Sequence, residues 1–140
     1  MAFVLDASVA LAAVLPGEIV APVASEMLVR VPEEEAIVPG LWRLEIGNAV
    51  LVRLRRRHIA MPEAGKILER LRALPVTLDS EASAHAFDLT FRLALTHTLS
   101  LYDATYLELA LRRGLSTASL DQALRSVAAA LGVPLSPPET

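Results

Sequence analysis

The chain has 140 residues, 54 % of them hydrophobic, and a formal net charge of −3. Its length suits one domain with its own core, expected over residues 1–135 with a polar, proline-rich tail at 136–140, and no apolar run reaches the roughly 20 residues of a membrane-spanning helix. The absence of cysteine excludes disulfides, thiol nucleophiles and thiolate zinc sites, and the negative net charge excludes a protein that grips nucleic acid by bulk charge alone.

In chain order, Ala2 to Leu5 reads as a short apolar strand, and Ala7 to Leu15 as a helix ended by Pro16-Gly17. The latter segment is apolar enough for a signal peptide, yet Asp6 stands where a basic lead-in belongs, so it is taken as a folded helix of a cytoplasmic protein. A second helix fits Glu18 to Val31. Ala36 to Val38 reads as a strand after the acidic run Glu33-Glu34-Glu35, and Pro39-Gly40 turns the chain into a long helix from about Leu41 to Arg57. Pro62 opens another helix, through Leu74. Val76 to Leu78 is expected as a strand, Ser80 as the cap of a helix to about Thr96, and Ser100 as the cap of the helix ending before Gly114. Leu115 to Ala118 then forms a strand, Asp121 to Leu131 a helix, and Val133 to Leu135 a last strand. Strands alternating with helices indicate an α/β fold with a mostly parallel sheet of four to five strands.

Within that order, Asp6, Glu45, Asp103 and Asp121 sit in four separate segments among apolar or small residues, where a buried carboxylate needs a cation or hydrogen bonds. In a parallel sheet, ligands collect beyond the carboxyl ends of the strands, and the helix N-termini return to that same edge. Asp6 and Asp121 follow strands; Glu45 and Asp103 lie in the first turns of helices. All four can therefore share one edge. Such a cluster makes sense around Mg²⁺ or Mn²⁺, which prefer oxygen ligands and keep several waters, leaving room for a phosphodiester and an attacking water. His58, His85 and His97 show no metal-ligand spacing.

Simpler uses stay open for each acid. Asp121 and Asp6 could be N-caps, Asp103 could close a capping box with Ser100, and Glu45 could pair with Arg43 or Arg53. The basic run Arg53, Arg55, Arg56, Arg57, His58 could contact RNA phosphates, with Arg53, Arg56 and Arg57 as the candidates, or be a solvated helix end. Tyr102 and Tyr106 could stack on bases or belong to the core; Trp42 reads as packing. The apolar faces carrying Leu11, Leu15, Ile19 and Val23 serve core packing, a groove for a partner helix, or both.

The segments Leu5-Asp6-Ala7-Ser8, Leu44-Glu45-Ile46-Gly47-Asn48-Ala49, Ser100-Leu101-Tyr102-Asp103-Ala104-Thr105-Tyr106-Leu107 and Thr117-Ala118-Ser119-Leu120-Asp121 together resemble, in order, the PIN-domain nucleases, and among them the VapC-type toxins of toxin-antitoxin pairs. The resemblance covers essentially the whole chain. It implies a three-layer α/β/α sandwich, Mg²⁺-dependent RNA cleavage, a homodimer, and a cognate antitoxin in the active-site groove. It makes Asp6, Asp103 and Asp121 metal ligands, adds Glu45 to the catalytic set, and assigns Ser8, Asn48 and Ser119 supporting polar roles. Ser119 stands where threonine is more common, and His97-Thr98-Leu99 lacks an expected glycine. A housekeeping RNA-processing nuclease and a catalytically silent binding module are the alternatives; loss of an acid would signal the latter, and none is lost. A phosphoacceptor domain fits poorly, because it expects an acidic pair after the first strand and a late lysine, whereas Asp6 stands alone and the only lysine is Lys66.

Overall fold

The computed structural model describes residues 1–17 and 21–138. The elements run β1 (Ala2–Leu5), α1 (Ala7–Val14), α2 (Ala21–Val29), β2 (Glu35–Pro39), α3 (Leu41–Arg55), α4 (Met61–Arg72), β3 (Thr77–Asp79), a 3-10 turn (Ala82–His85), α5 (Leu89–His97), α6 (Leu101–Arg113), β4 (Ser116–Ala118), α7 (Gln122–Ala130) and β5 (Leu135–Ser136). The expected start of the second helix at Glu18, and Ile19 with it, lie outside the described residues, as do Glu139 and Thr140.

The five strands lie in the order β3-β2-β1-β4-β5, and every neighbouring pair is parallel. Parallel crossovers are right-handed. The chain moves outward from β1 through β2 to β3, then returns to β4 and continues to β5 on the other side. Opposite directions of travel put the two sets of connecting helices on opposite faces. The packing agrees: α1 touches α2 and α3, and α3 touches α4, while α6 gathers α5 and α7 and lies across β1, β2 and β4. The result is an α/β/α sandwich.

Central strands covered on both faces read as unbroken apolar runs, which explains Phe3, Val4 and Leu5 in β1 and Ala36, Ile37 and Val38 in β2, all buried. Helix α6 is buried from Ala104 through Ala110, as expected of a helix wrapped by neighbours, and carries Tyr106, Leu107 and Leu109 into the core. Ser100 caps it, accepting from the Asp103 N–H at 3.0 Å, and Gly114 ends it at φ 65°.

Several boundaries differ from the sequence reading. The helix expected from Ser80 is a 3-10 turn followed by α5, because β3 extends to Asp79, whose buried carboxylate is gripped by Arg112 and Arg113 at 2.8 Å each and anchors the chain before it can coil. Helix α3 stops at Arg55, and Arg57 turns left-handed at φ 59°, so the basic run straddles the helix end. The last strand is displaced to Leu135–Ser136. Ser136 belongs to that strand: it pairs with Ala118, its Oγ accepts from Arg30 at 2.8 Å, and Arg125 donates to the Pro137 carbonyl at 2.7 Å. Among the described residues no helix is long and apolar enough to cross a membrane.

Candidate active site

The strand order reverses between β1 and β4, and a crevice opens beyond the carboxyl ends of these strands, where their connections leave toward opposite faces. Asp6 sits at its edge, immediately after β1, tied to β4 by its N–H donating to the Ala118 carbonyl at 2.9 Å. It occupies the N-cap position of α1 but makes no capping bond. Its Oδ2 instead accepts from Ser8 Oγ at 2.6 Å and Ser119 Oγ at 2.8 Å. Each serine is fixed in turn: Ser8 Oγ accepts from the Leu120 N–H at 2.9 Å, and Ser119 Oγ from the Asp121 N–H at 3.1 Å. The relay staples the ends of β1 and β4 together around a carboxylate that is only 4 % exposed.

Burial pushes the Asp6 carboxyl up to about 6; the serine hydrogen bonds oppose this, and the charges of Asp103 and Asp121 add to it. Glu45, one turn into α3, is pushed up to about 7, chiefly by burial and then by Asp6, Asp103 and Asp121, against a bond from Tyr106 Oη to its Oε1 at 2.6 Å. Tyr106 is fully buried, and burial together with the Asp6 and Glu45 charges pushes its phenol far up, so it stays a neutral donor. Asp103, in the first turn of α6, is raised by burial and by Asp121, with Ser100 opposing. Asp121 caps α7, its Oδ2 accepting from the Leu124 N–H at 3.1 Å.

All four acids line a single cavity of about 640 Å³ together with Ser8, Asn48 and an apolar wall of Leu11, Leu41, Leu44 and Tyr102. Among the described residues, no basic side chain lines it. Sequence and fold agree here: the chain matches the PIN domain family over residues 3–130.

The protein belongs to the PIN-domain family. PIN domains are generally metal-dependent nucleases. A similar solved structure is that of PAE2754 from Pyrobaculum aerophilum, with a TM-score of 0.64 and 23 % identity, covering 90 % of this chain and 86 % of that one. At that identity the likeness concerns the fold. No curated protein matches the chain.

The donor set of this PIN domain suits a hard divalent cation: carboxylates, hydroxyls and an amide line the cavity, without thiol or imidazole. A deeply buried Asp6 with two raised acidic neighbours and no cation nearby is the charge imbalance that such an ion would neutralise. Among the described residues, though, no three His, Cys, Asp or Glu side chains converge as a ready-made cage. That spacing fits an ion held by one or two carboxylates and otherwise by water.

Of the residues singled out in the sequence, Ser8 and Ser119 hold Asp6, and Asn48 lies at the exposed rim. Arg53, Arg56 and Arg57 do not line the cavity; the helical rise puts Arg56 about 16 Å along α3 from Glu45, toward the opposite edge of the sheet. Tyr102 is exposed at the cavity mouth, whereas Tyr106 is core. Leu15 is buried and Leu11 joins the cavity wall. The sequence reading missed the Tyr106–Glu45 bond. Its signal was the three-residue spacing from Asp103, which puts both side chains on one face of α6.

Proposed function

We propose that this PIN domain is a Mg²⁺-dependent endoribonuclease, with Mn²⁺ able to substitute, that acts in the cytoplasm as the VapC-type toxin of a toxin-antitoxin pair. The observation that carries the nuclease reading is Asp6, an N-cap position whose carboxylate is withdrawn from capping, buried, and held by two serines in a cavity shared with three other acids. When bound, the divalent ion supplies charge neutralisation to the scissile phosphate and acidifies water. Both serine bonds fall on Oδ2 of Asp6, which leaves Oδ1 as the oxygen that would hold the ion. Asp103 and Asp121 complete its carboxylate surroundings, directly or through water. Glu45, oriented by Tyr106 through Oε1, uses Oε2 to take the proton of the attacking water; its pKa of about 7 suits a general base at neutral pH.

The toxin role rests on the apolar wall beside the acids. Leu44 is 76 % exposed on the first turns of α3, next to Leu41, Leu11 and Tyr102, and this offers an antitoxin segment apolar anchorage over the catalytic groove. A homodimer belongs to the same reading, with exposed Phe87, Phe91 and Leu95 around α5 as its surface.

Purified protein incubated with total RNA should cut it with Mg²⁺ or Mn²⁺ and leave it intact in EDTA. Induced expression should halt growth, and co-expression of a cognate antitoxin should relieve the arrest. RNA left whole under every metal condition would refute the nuclease; cutting without growth arrest would point to a housekeeping role.

A further inference from the structure

Charge in this protein is segregated. Residues 41–72, the α3–α4 hairpin, hold eight of the 13 Lys and Arg and three of the 16 Asp and Glu, a balance of +5 that leaves −8 for the rest of a chain totalling −3. Outside the hairpin the arginines are engaged: Arg30 with Glu34, Arg92 with Asp88, Arg112 and Arg113 with Asp79, and Arg125 with backbone carbonyls. Arg43 and Arg72 make no ion pair or side-chain hydrogen bond with any described residue.

These two arginines line one cleft of about 190 Å³ between α3 and α4, with Trp42, Ile46, Gly47 and Leu71 among its walls. Trp42 is 1 % exposed, and its indole N–H has no hydrogen-bond partner. A buried donor left unpaired costs about 1 to 3 kcal/mol, so such a group usually has an acceptor in its working state. Gly47 leaves the wall open, since a Cβ there would meet nothing within 4 Å. The two free guanidinium groups are both donors, and the buried indole beside them adds no acceptor. Together they select an anionic oxygen, and guanidinium matches phosphate with paired bonds.

The cleft also lies beside the acids. Leu41, Leu44, Glu45 and Asn48 of α3 face the acidic cavity, whereas Trp42, Arg43, Ile46 and Gly47 face the cleft, so one helix separates them. With side chains that helix is about 10 to 12 Å across, a span that a nucleic-acid strand crosses within a few nucleotides.

We propose that the α3–α4 cleft is a phosphate subsite of the nuclease, in which Arg43 and Arg72, on either side of the buried Trp42, hold a backbone phosphate of the RNA flanking the one cut at the acids. The subsite rests on the nuclease reading and extends it to how the strand is registered. It supplies locally the positive charge that the molecule as a whole lacks.

Trp42 is the sole tryptophan, so its emission reports on this cleft. The experiment titrates full-length protein in EDTA, where RNA is not cut, with a dye-labelled single-stranded oligoribonucleotide, reading Trp42 emission and anisotropy across salt concentrations. RNA should shift the emission. Arg43→Gln/Arg72→Gln, with an unchanged Tm, should bind about tenfold more weakly with a salt slope lower by about 0.7 for the lost phosphate, and with Mg²⁺ should show a raised KM and a retained kcat. A double variant that binds and cuts like the wild type overturns the subsite and leaves the nuclease standing. Failure of the wild type both to bind and to cut removes the nuclease reading and the subsite with it. Emission that moves with poly-glutamate and not with RNA overturns the proposal in favour of an acidic protein partner.

Discussion

Asp6 stands at a helix-capping position without capping the helix. A carboxylate at an N-cap ordinarily stabilises its helix by about 1 kcal/mol. Here the side chain makes no such bond and is buried among other acids with its pKa raised to about 6. Asp6→Asn keeps the shape and removes the charge, so RNA cleavage should fall at least about 100-fold while the metal-free Tm at pH 8 holds or rises. A fall in Tm matching the fall in cleavage would make Asp6 a structural residue. Asp121, by contrast, does cap its helix while lining the cavity, so its sequence admitted both uses and the structure shows both geometries. Tyr106→Phe deletes the 2.6 Å bond to Glu45 without opening a cavity. Cleavage should drop about 10- to 100-fold, as for partners that orient active-site groups, with a stability loss of about 1 kcal/mol by thermal denaturation.

At the scale of elements, helix ends marked by punctuation were legible and tertiary anchors were not. Ser100 and Gly114 bracket α6 as the sequence indicates, because capping is local chemistry. The segment after β3 reads as continuous helix from Ser80, yet Asp79 is pinned by two arginines more than thirty residues away, and no local pattern encodes that. The same network holds Glu108, fully buried, against Arg112 at 2.7 Å. Arg112→Ala would strand the buried Glu108 carboxylate and leave Asp79 to Arg113 alone, and should cost about 3 to 5 kcal/mol in denaturant unfolding. Burial raises the Asp79 carboxyl, but Arg112 and Arg113 outweigh it and hold it below its ordinary value. Its contribution is therefore present above about pH 4 and lost as pH falls through the folded value. The glycine missing before Asp103 has a concrete consequence: Thr98 ends α5 in the left-handed region at φ 56°, where a β-branched residue is strained. Thr98→Gly should raise stability by about 1 kcal/mol and Tm by about 3 °C.

For the whole molecule, the site is a product of topology. Asp6 and Ser119 are 113 positions apart and bond at the crevice where the strand order of the parallel sheet reverses. The sequence revealed that four acids fall at one sheet edge, since each follows a strand or opens a helix. It could not reveal the serine relay, the tyrosine beneath Glu45 or the orphaned indole, which depend on side chains meeting in three dimensions. Gathering the acids also sets the pH response. Folded Asp6 and Glu45 release their protons near 6 and 7, whereas unfolded carboxyls do so near 4. Between those values the folded state binds more protons, so metal-free stability should fall as pH rises from about 5 to 8. Mg²⁺ should restore it, with a larger Tm increase at pH 8 than at pH 5.5, because protons and the ion compete for the same oxygens. A metal-free Tm that climbs over that range would mean the acids are compensated within the protein.

Mn²⁺ binding, followed by electron paramagnetic resonance at pH 7.5 in the wild type, Asp6→Asn and Asp103→Asn, tests the proposed metal centre most directly. The four-acid site predicts a bound ion in the wild type and at least about tenfold weaker binding in each folded variant. Equal affinity in all three proteins would contradict it, because the ion would then be held elsewhere or by no specific site.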